Sequence, residues 1–116
     1  MNIVGEKLMT NENRGGAVVT GAARGIGRQI AAGLVADGYG VVIADVDEAT
    51  GQATAEALTA AGGGAAMFAR VDVTDRTSVR AAIEACETRF GTLNVMINNA
   101  GFNKPEPFLD ITEKTW

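Results

Sequence analysis

The sequence predicts an α/β fold, a doubly wound parallel sheet with helices on both faces. Short apolar runs recur at 17–20, 41–44, 65–73 and 93–97, separated by segments of helical periodicity. The run Val41-Val42-Ile43-Ala44 is apolar without interruption, which suits a strand buried on both faces rather than one half-exposed to water. A third feature marks the functional end: in GAVVTGAARGIG, from Gly16 to Gly27, a strand gives way to a helix through a turn punctuated by Gly21, Gly25 and Gly27.

The elements follow in order. After the first strand, Ile26, Ile30, Ala31, Leu34 and Val35 fall three and four residues apart, one apolar stripe of a helix over 25–37, with Gly38 as its terminator. The second strand ends at Asp45. Residues 47–61 are alanine-rich and predict a helix, although Gly51 and several threonines oppose it, and Gly62-Gly63-Gly64 closes it. A strand at 65–73 leads to a helix at 75–90, capped by Asp75 or Thr74, with Val79, Ala82, Ile83, Cys86 and Phe90 on one face. Gly91 ends that helix, Leu93–Ile97 form the fourth strand, and Asn98-Asn99-Ala100-Gly101 follow. Both prolines place 102–109 in a loop, and Asp110 to Glu113 has the spacing of a capping box. Connections of this kind between parallel strands cross over with a right hand.

Composition excludes several classes. The chain has 116 residues, enough for one domain, and 47% hydrophobic content predicts a packed core rather than disorder. A net charge of −4 argues against nucleic acid or an anionic membrane surface as partner. No apolar run approaches the ~20 residues of a membrane span. Residues 1–14 lack the pattern of a signal peptide and read as a polar leader. One cysteine forms no internal disulfide, which fits a cytoplasmic location. With no histidine, a Ser-His-Asp triad and a His-ligated zinc are both excluded within these residues, and no metal ligands are assigned.

The glycine turn offers bare backbone and the unpaired N–H groups of the next helix, a setting for an anion and best for a pyrophosphate. It is no nucleoside-triphosphate loop of the Walker kind, because no Lys-Ser or Lys-Thr follows the glycines. The alternative is a strand–helix connection with no ligand. Asp45 lies at the end of the next strand, close to the ~20-residue offset of the acidic residue in a dinucleotide site. A carboxylate there accepts hydrogen bonds from ribose hydroxyls and repels the 2′-phosphate of NADP. Val46, Asp47 and Glu48 follow it with no cation, so NAD is expected over NADP, with Arg24 the one nearby cation that relaxes the preference. The alternative for Asp45 is a solvated strand-end carboxylate or a helix cap.

On these residues the chain resembles the short-chain dehydrogenase/reductase family. TGAARGIG at 20–27 matches its Thr-Gly-x-x-x-Gly-x-Gly cofactor motif, Asp72-Val73 its adenine-contacting pair, and Asn98-Asn99-Ala100-Gly101 its segment after the fourth strand. The resemblance covers 15–116 and implies a Rossmann-type sheet, incomplete here, with strand order 3-2-1-4. It implies that Gly21, Arg24, Gly25, Ile26 and Gly27 line the pyrophosphate and its adjoining ribose. Asp45 and Val46 would hold the adenosine ribose, and Asp72 and Val73 the adenine. Asn99, Ala100 and Gly101 would back the nicotinamide-side ribose, with Asn98 bracing the sheet.

The same resemblance implies hydride transfer between nicotinamide and a carbonyl carbon. A tyrosine exchanges the proton, a lysine four residues on lowers its pKa, and a serine orients the carbonyl. No residue here matches these roles. The only tyrosine, Tyr39, is followed at the lysine position by Ile43 and reads as a structural cap at the sheet edge; the only serine, Ser78, reads as solvated on a surface helix. No catalytic residue is therefore assigned. The chain reads as a leader (1–14) and an NAD-binding half-domain (15–116), a fragment of a longer dehydrogenase.

Strand four would then be an open apolar edge of Val95, Met96 and Ile97, so the piece alone is expected to be marginal or to lean on another chain. The resemblance further implies small secondary alcohols, diols or polyols and their ketones as substrates, with Phe102, Asn103, Lys104 and Phe108 at the cleft rim; the alternative for these four is a surface loop packed on its own helix. It also implies a homo-oligomer, dimer or tetramer, in the full-length form. A 3-oxoacyl reductase of the same family, a non-catalytic nucleotide-binding module and an α/β domain without ligand remain as alternatives.

Overall fold

The computed structural model describes residues 14–99. Residues 1–13 of the leader, Ala100, Gly101, the proline-containing segment 102–109 and the capping box at 110–113 lie outside the described residues. The chain runs β1 (Gly16–Thr20), α1 (Gly25–Ala36), β2 (Gly40–Asp45), α2 (Glu48–Ala61), β3 (Ala65–Arg70), α3 (Arg76–Phe90) and β4 (Leu93–Asn98). All strand pairs are parallel, in the order β3-β2-β1-β4. This is the predicted doubly wound sheet, with the predicted order.

The alternation of side chains along the central strands divides the core in two. Ala17, Val19, Val41 and Ile43 point to one face and pack with Ala31 and Val35 of α1 and Ala55 and Leu58 of α2. Val18, Val42 and Ala44 point to the other and pack with Val79, Ala82 and Cys86 of α3. Every residue of β1 is buried, which is why its sequence carries no polar alternation.

Helix α1 ends in a Schellman motif: the Tyr39 amide donates to Leu34 O at 3.0 Å and the Gly38 amide to Val35 O at 2.9 Å, with Gly38 at φ +100°. Asp47 and Asp75 cap α2 and α3, accepting from the amides of Thr50 and Thr77. At the amino ends of the strands, the Phe90 ring occupies the space a side chain at Gly40 would need; a Cβ there would lie 2.1 Å from the ring.

Three expectations change. Strand β3 stops at Arg70 rather than 73, because its partner β2 stops at Asp45; the Val71 amide still reaches Asp45 O at 3.0 Å, and the pairing among the described residues ends there. Tyr39 does not cap a sheet edge. It leads into an interior strand and packs, half-buried, against the core cluster on the α1 and α2 side. Ser78 is not simply solvated: its hydroxyl accepts from the Asp72 amide at 3.1 Å and lies 3.0 Å from the carbonyls of Asp72 and Asp75, fastening the β3–α3 connection.

The residues that argue against α2 have positions of their own. Gly51 lies against the Phe68 ring, where a Cβ would come within 2.2 Å. The Thr59 hydroxyl bridges to the Ala66 amide and carbonyl at 2.9 and 3.1 Å, joining the end of α2 to β3. Thr54 is buried and serves the site.

Candidate functional site

The register brings Thr20, Ala44 and Asn98 into one row at the carboxyl ends of β1, β2 and β4. Chain progress reverses between β1 and β4, and in open sheets of this kind a crevice forms at that point. The β1–α1 turn sits directly above it. Gly21 and Gly25 have φ of +64° and +66°, a region costly for residues with a Cβ. Gly27 serves close approach: a Cβ there would lie 2.1 Å from Gly21 O and 2.7 Å from Asn99 Nδ2. At Gly25 a Cβ would meet open space, so one side of the turn is bare backbone facing solvent.

The turn is held from three directions. The Gly21 amide donates to Ala44 O at 2.8 Å. The buried Thr54 hydroxyl of α2 donates to Ala23 O at 2.6 Å. The Ala23 amide donates to Asp45 Oδ2 at 3.0 Å, while Asp45 Oδ1 accepts from the Asp47 amide at 3.1 Å. On the β4 side, Asn99 Nδ2 donates to Gly21 O at 3.2 Å, the Asn99 amide to Thr20 Oγ1 at 3.0 Å, and Thr20 Oγ1 to Asn98 Oδ1 at 3.0 Å.

This arrangement fits the phosphates and sugars of a dinucleotide. Arg24 stands at the N-cap of helix α1 but its side chain makes no cap hydrogen bond, and the first turn of the helix holds no acidic residue. The first amides of the helix thus keep their donors and their positive end for an anion. Asp45 is only partly buried, and the two backbone amides use half of the roughly four lone-pair sites of a carboxylate, leaving the rest for hydroxyl donors. Among the described residues, the exposed large hydrophobic side chains are Ile26, 69% exposed, and Val46, 55% exposed. Both belong to the predicted site, Ile26 in the first turn of α1 and Val46 directly after β2, and both leave apolar surface in solvent.

The remaining predicted residues are more committed to the fold. Arg24 forms an ion pair with Asp47 and donates to Thr50 Oγ1 at 3.2 Å. Asp72 Oδ1 accepts from the Thr74 hydroxyl at 2.6 Å and its amide at 2.9 Å. These bonds, with Arg70 nearby, hold the Asp72 carboxyl below its ordinary range. Val73 is half-buried against the α3-side core. Ala100 and Gly101 lie outside the described residues. Tyr39 sits at the amino end of β2, the opposite end of the sheet from Asp45.

Sequence reasoning misses Thr54, Thr50 and Asp47 as parts of the site. The available signal is the density of threonine in a helix whose propensity it lowers, since such residues persist where their hydroxyls have partners.

Two concavities lie away from this crevice. One of about 360 Å³ is lined by Gly40, Gly63, Arg89 and Phe90 at the amino ends of the strands. Another of about 520 Å³ lies between α2 and β3 beside Phe68. Neither of the two is lined by residues of the glycine turn. Among the described residues no helix is long and apolar enough to cross a membrane, and no group of three His, Cys, Asp or Glu is placed to hold a metal.

Comparison with known proteins agrees with this fold. The short chain dehydrogenase family matches residues 16–116. The chain is 38% identical over 99 residues to L-2,3-butanediol dehydrogenase of Corynebacterium glutamicum, covering 84% of this chain and 38% of that protein. It is 48% identical over 90 residues to trans-4-hydroxycyclohexanecarboxylate dehydrogenase of Sinomonas cyclohexanicum, covering 73% and 35%. Galactitol 2-dehydrogenase of Agrobacterium fabrum is 38% identical over 100 residues, covering 86% and 38%. Among solved structures, a short-chain type dehydrogenase/reductase from Mycobacterium ulcerans superposes with a TM-score of 0.71 at 32% identity, covering 77% of this chain and 33% of that one. A hydroxysteroid dehydrogenase from Escherichia coli, at 24% identity and a TM-score of 0.73, shares the fold; the match covers 92% of this chain and 47% of that one. The chain thus spans a little over a third of the length of the relatives it matches in sequence.

Proposed function

Because the chain belongs to the short-chain dehydrogenase family, we propose that residues 15–116 are the NAD(H)-binding half of an oxidoreductase acting on small secondary alcohols, diols or polyols and the corresponding ketones. The observation that carries this is the joint placement of the Gly21–Gly27 turn and Asp45, tied to each other through the Ala23 amide. The named activities of the butanediol and galactitol relatives support the substrate class.

When bound, the nicotinamide cofactor supplies the carbon that accepts or donates hydride. The part played by this chain is binding and orientation. The amides at the start of α1 face the pyrophosphate, and Gly25 leaves room for it. Asp45 takes the adenosine ribose hydroxyls, with Ile26 and Val46 as apolar walls. Asn99, held by Thr20 and Gly21, backs the second ribose together with Ala100 and Gly101. Asp72 and Val73 border the adenine.

The chain binds the cofactor and does not turn it over. Tyr39 lies at the wrong end of the sheet, Ile43 stands where a lysine would have to be, and Ser78 is engaged in the β3–α3 connection. Titration with NADH, followed by cofactor fluorescence, tests the proposal. Saturable binding that weakens about 10–100-fold in Asp45→Ala is expected from the loss of charge-assisted hydrogen bonds. Unchanged binding in that variant would refute the ribose assignment.

A further inference from the structure

We propose that Asp47 is a specificity-determining residue of this site: by engaging the Arg24 guanidinium together with Thr50, it withholds from a 2′-phosphate the one cation of the glycine turn. The inference rests on the cofactor reading above and concerns the choice between NAD and NADP.

Arg24 is the only cation between Gly21 and Gly27, and no cation occurs from Asp45 to Thr50. Its backbone neighbour Ala23 is bonded to Asp45, so the root of the Arg24 side chain stands beside the carboxylate assigned to the adenosine ribose. A guanidinium rooted there would suit a phosphate on that ribose, because its planar fork matches phosphate oxygens. The structure turns it elsewhere. It crosses to the start of α2, where it pairs with Asp47 Oδ2 and donates to Thr50 Oγ1 at 3.2 Å.

Asp47 has a second duty that fixes its place. Its Oδ1 accepts from the Thr50 amide at 3.1 Å as the cap of α2, and its own amide donates to Asp45 Oδ1 at 3.1 Å. The backbone and hydroxyl of Thr50, and then Arg24, hold its carboxyl below the ordinary range, so it is anionic at neutral pH. One carboxylate therefore caps a helix with one oxygen and restrains the cation with the other. A 2′-phosphate arriving at Asp45 would meet two carboxylates and a guanidinium already neutralised.

The restraint is light. Arg24 is 67% exposed and Asp47 35% exposed. An ion pair of that exposure shifts an equilibrium by only a few-fold, so single substitutions can release it. Asn is as good a helix cap as Asp, so Asp47→Asn keeps α2 while removing the charge that holds Arg24. Thr50→Val keeps the amide and the charge but removes the second acceptor.

The experiment measures the Kd of NADH and of NADPH by cofactor fluorescence for the full chain and for Asp47→Asn, Thr50→Val, Arg24→Ala and the Arg24→Ala/Asp47→Asn pair. Circular dichroism checks that each is folded. In Asp47→Asn the Kd ratio is expected to move toward NADPH by about two- to fivefold, with a smaller move the same way in Thr50→Val. In the Arg24→Ala background most of the gain disappears. A gain of equal size in both backgrounds would mean that Asp47 acts only as a repelling charge and would overturn the proposal, as would an unchanged ratio. Failure of the unsubstituted chain to bind either cofactor would instead overturn the cofactor reading, and the role of Asp47 with it.

Discussion

Replacing Gly27 by alanine tests the closeness of turn and helix on which the site depends. The added methyl would stand 2.1 Å from Gly21 O and 2.7 Å from Asn99 Nδ2. The first of these is backbone, held by the Gly21 amide bond to Ala44 O at 2.8 Å, so it cannot swing aside as a side-chain tip would. Either the turn or α1 must retreat by about 1 Å to restore ordinary contact. Overpacking of that kind costs about 1–3 kcal/mol. The Asn99 hydrogen bond to Gly21 O, 3.2 Å long, is lost with it, for about another 1 kcal/mol. A destabilisation of about 2–4 kcal/mol corresponds to a fall in Tm of roughly 10–25 °C for a domain of this size.

Urea and thermal unfolding followed by far-UV circular dichroism read the effect directly. Gly33→Ala is the internal control. It lies within the same helix, its added methyl would meet nothing within 4 Å, and its φ is not positive. That variant should be stabilised by about 0.4–1 kcal/mol. If Gly27→Ala unfolded within about 0.5 kcal/mol of the parent, the turn would not be packed against α1 as described, and the glycine would have no part in shaping the site.

Other outcomes follow from single contacts. Thr54→Val removes the buried donor to Ala23 O and is expected to cost about 1–3 kcal/mol in urea unfolding, with weakened NADH binding because the turn loses its tie to α2. Cys86 is buried, and burial, reinforced by Glu87, pushes its thiol up to about 11 from 9.0. The folded chain should therefore resist alkylation at pH 8 and become reactive on addition of urea. Because the folded thiol holds its proton more tightly, its contribution is fully present below pH 9.0 and is lost as pH rises toward about 11. An alkaline stability profile that falls in that window in the parent, and not in Cys86→Ala, is the expected result. Asp47 and Asp72 are shifted the other way, so their contributions are present above 3.8 and fade as pH falls through their lower folded values. Asp72→Asn should flatten the acid limb of the melting curve.

Element types and the position of the glycine turn are legible in the sequence because each rests on a local signal, whereas the strand order is legible only through the family resemblance. Val41–Ala44 is apolar without interruption, and Gly38 stands where α1 must stop. What the sequence conceals is the use of polar side chains at long range. Thr54 lies 31 residues from the carbonyl it satisfies, and Thr20 lies 78 residues from Asn98. No periodicity encodes such partners. Gly51 reads as a helix weakness because propensity knows nothing of the Phe68 ring beside it. Ser78 reads as solvated because its position on the helix is outward, while the preceding connection folds back onto it. Among the site residues, Gly21, Gly25, Gly27 and Asp45 can be read from spacing. The pairing of Arg24 with Asp47 cannot, since it depends on where α2 begins in space.

The ring of Phe90 seated over Gly40 carries a consequence for how this sequence can drift. A methyl at position 40 has nowhere to go while the ring is present, and trimming the ring alone leaves a hollow. The two positions are therefore bound as a pair, although they lie far apart in the chain. Changes at one would be accepted far more readily after a matching change at the other, and Gly40→Ala combined with Phe90→Leu should cost less than the two penalties added.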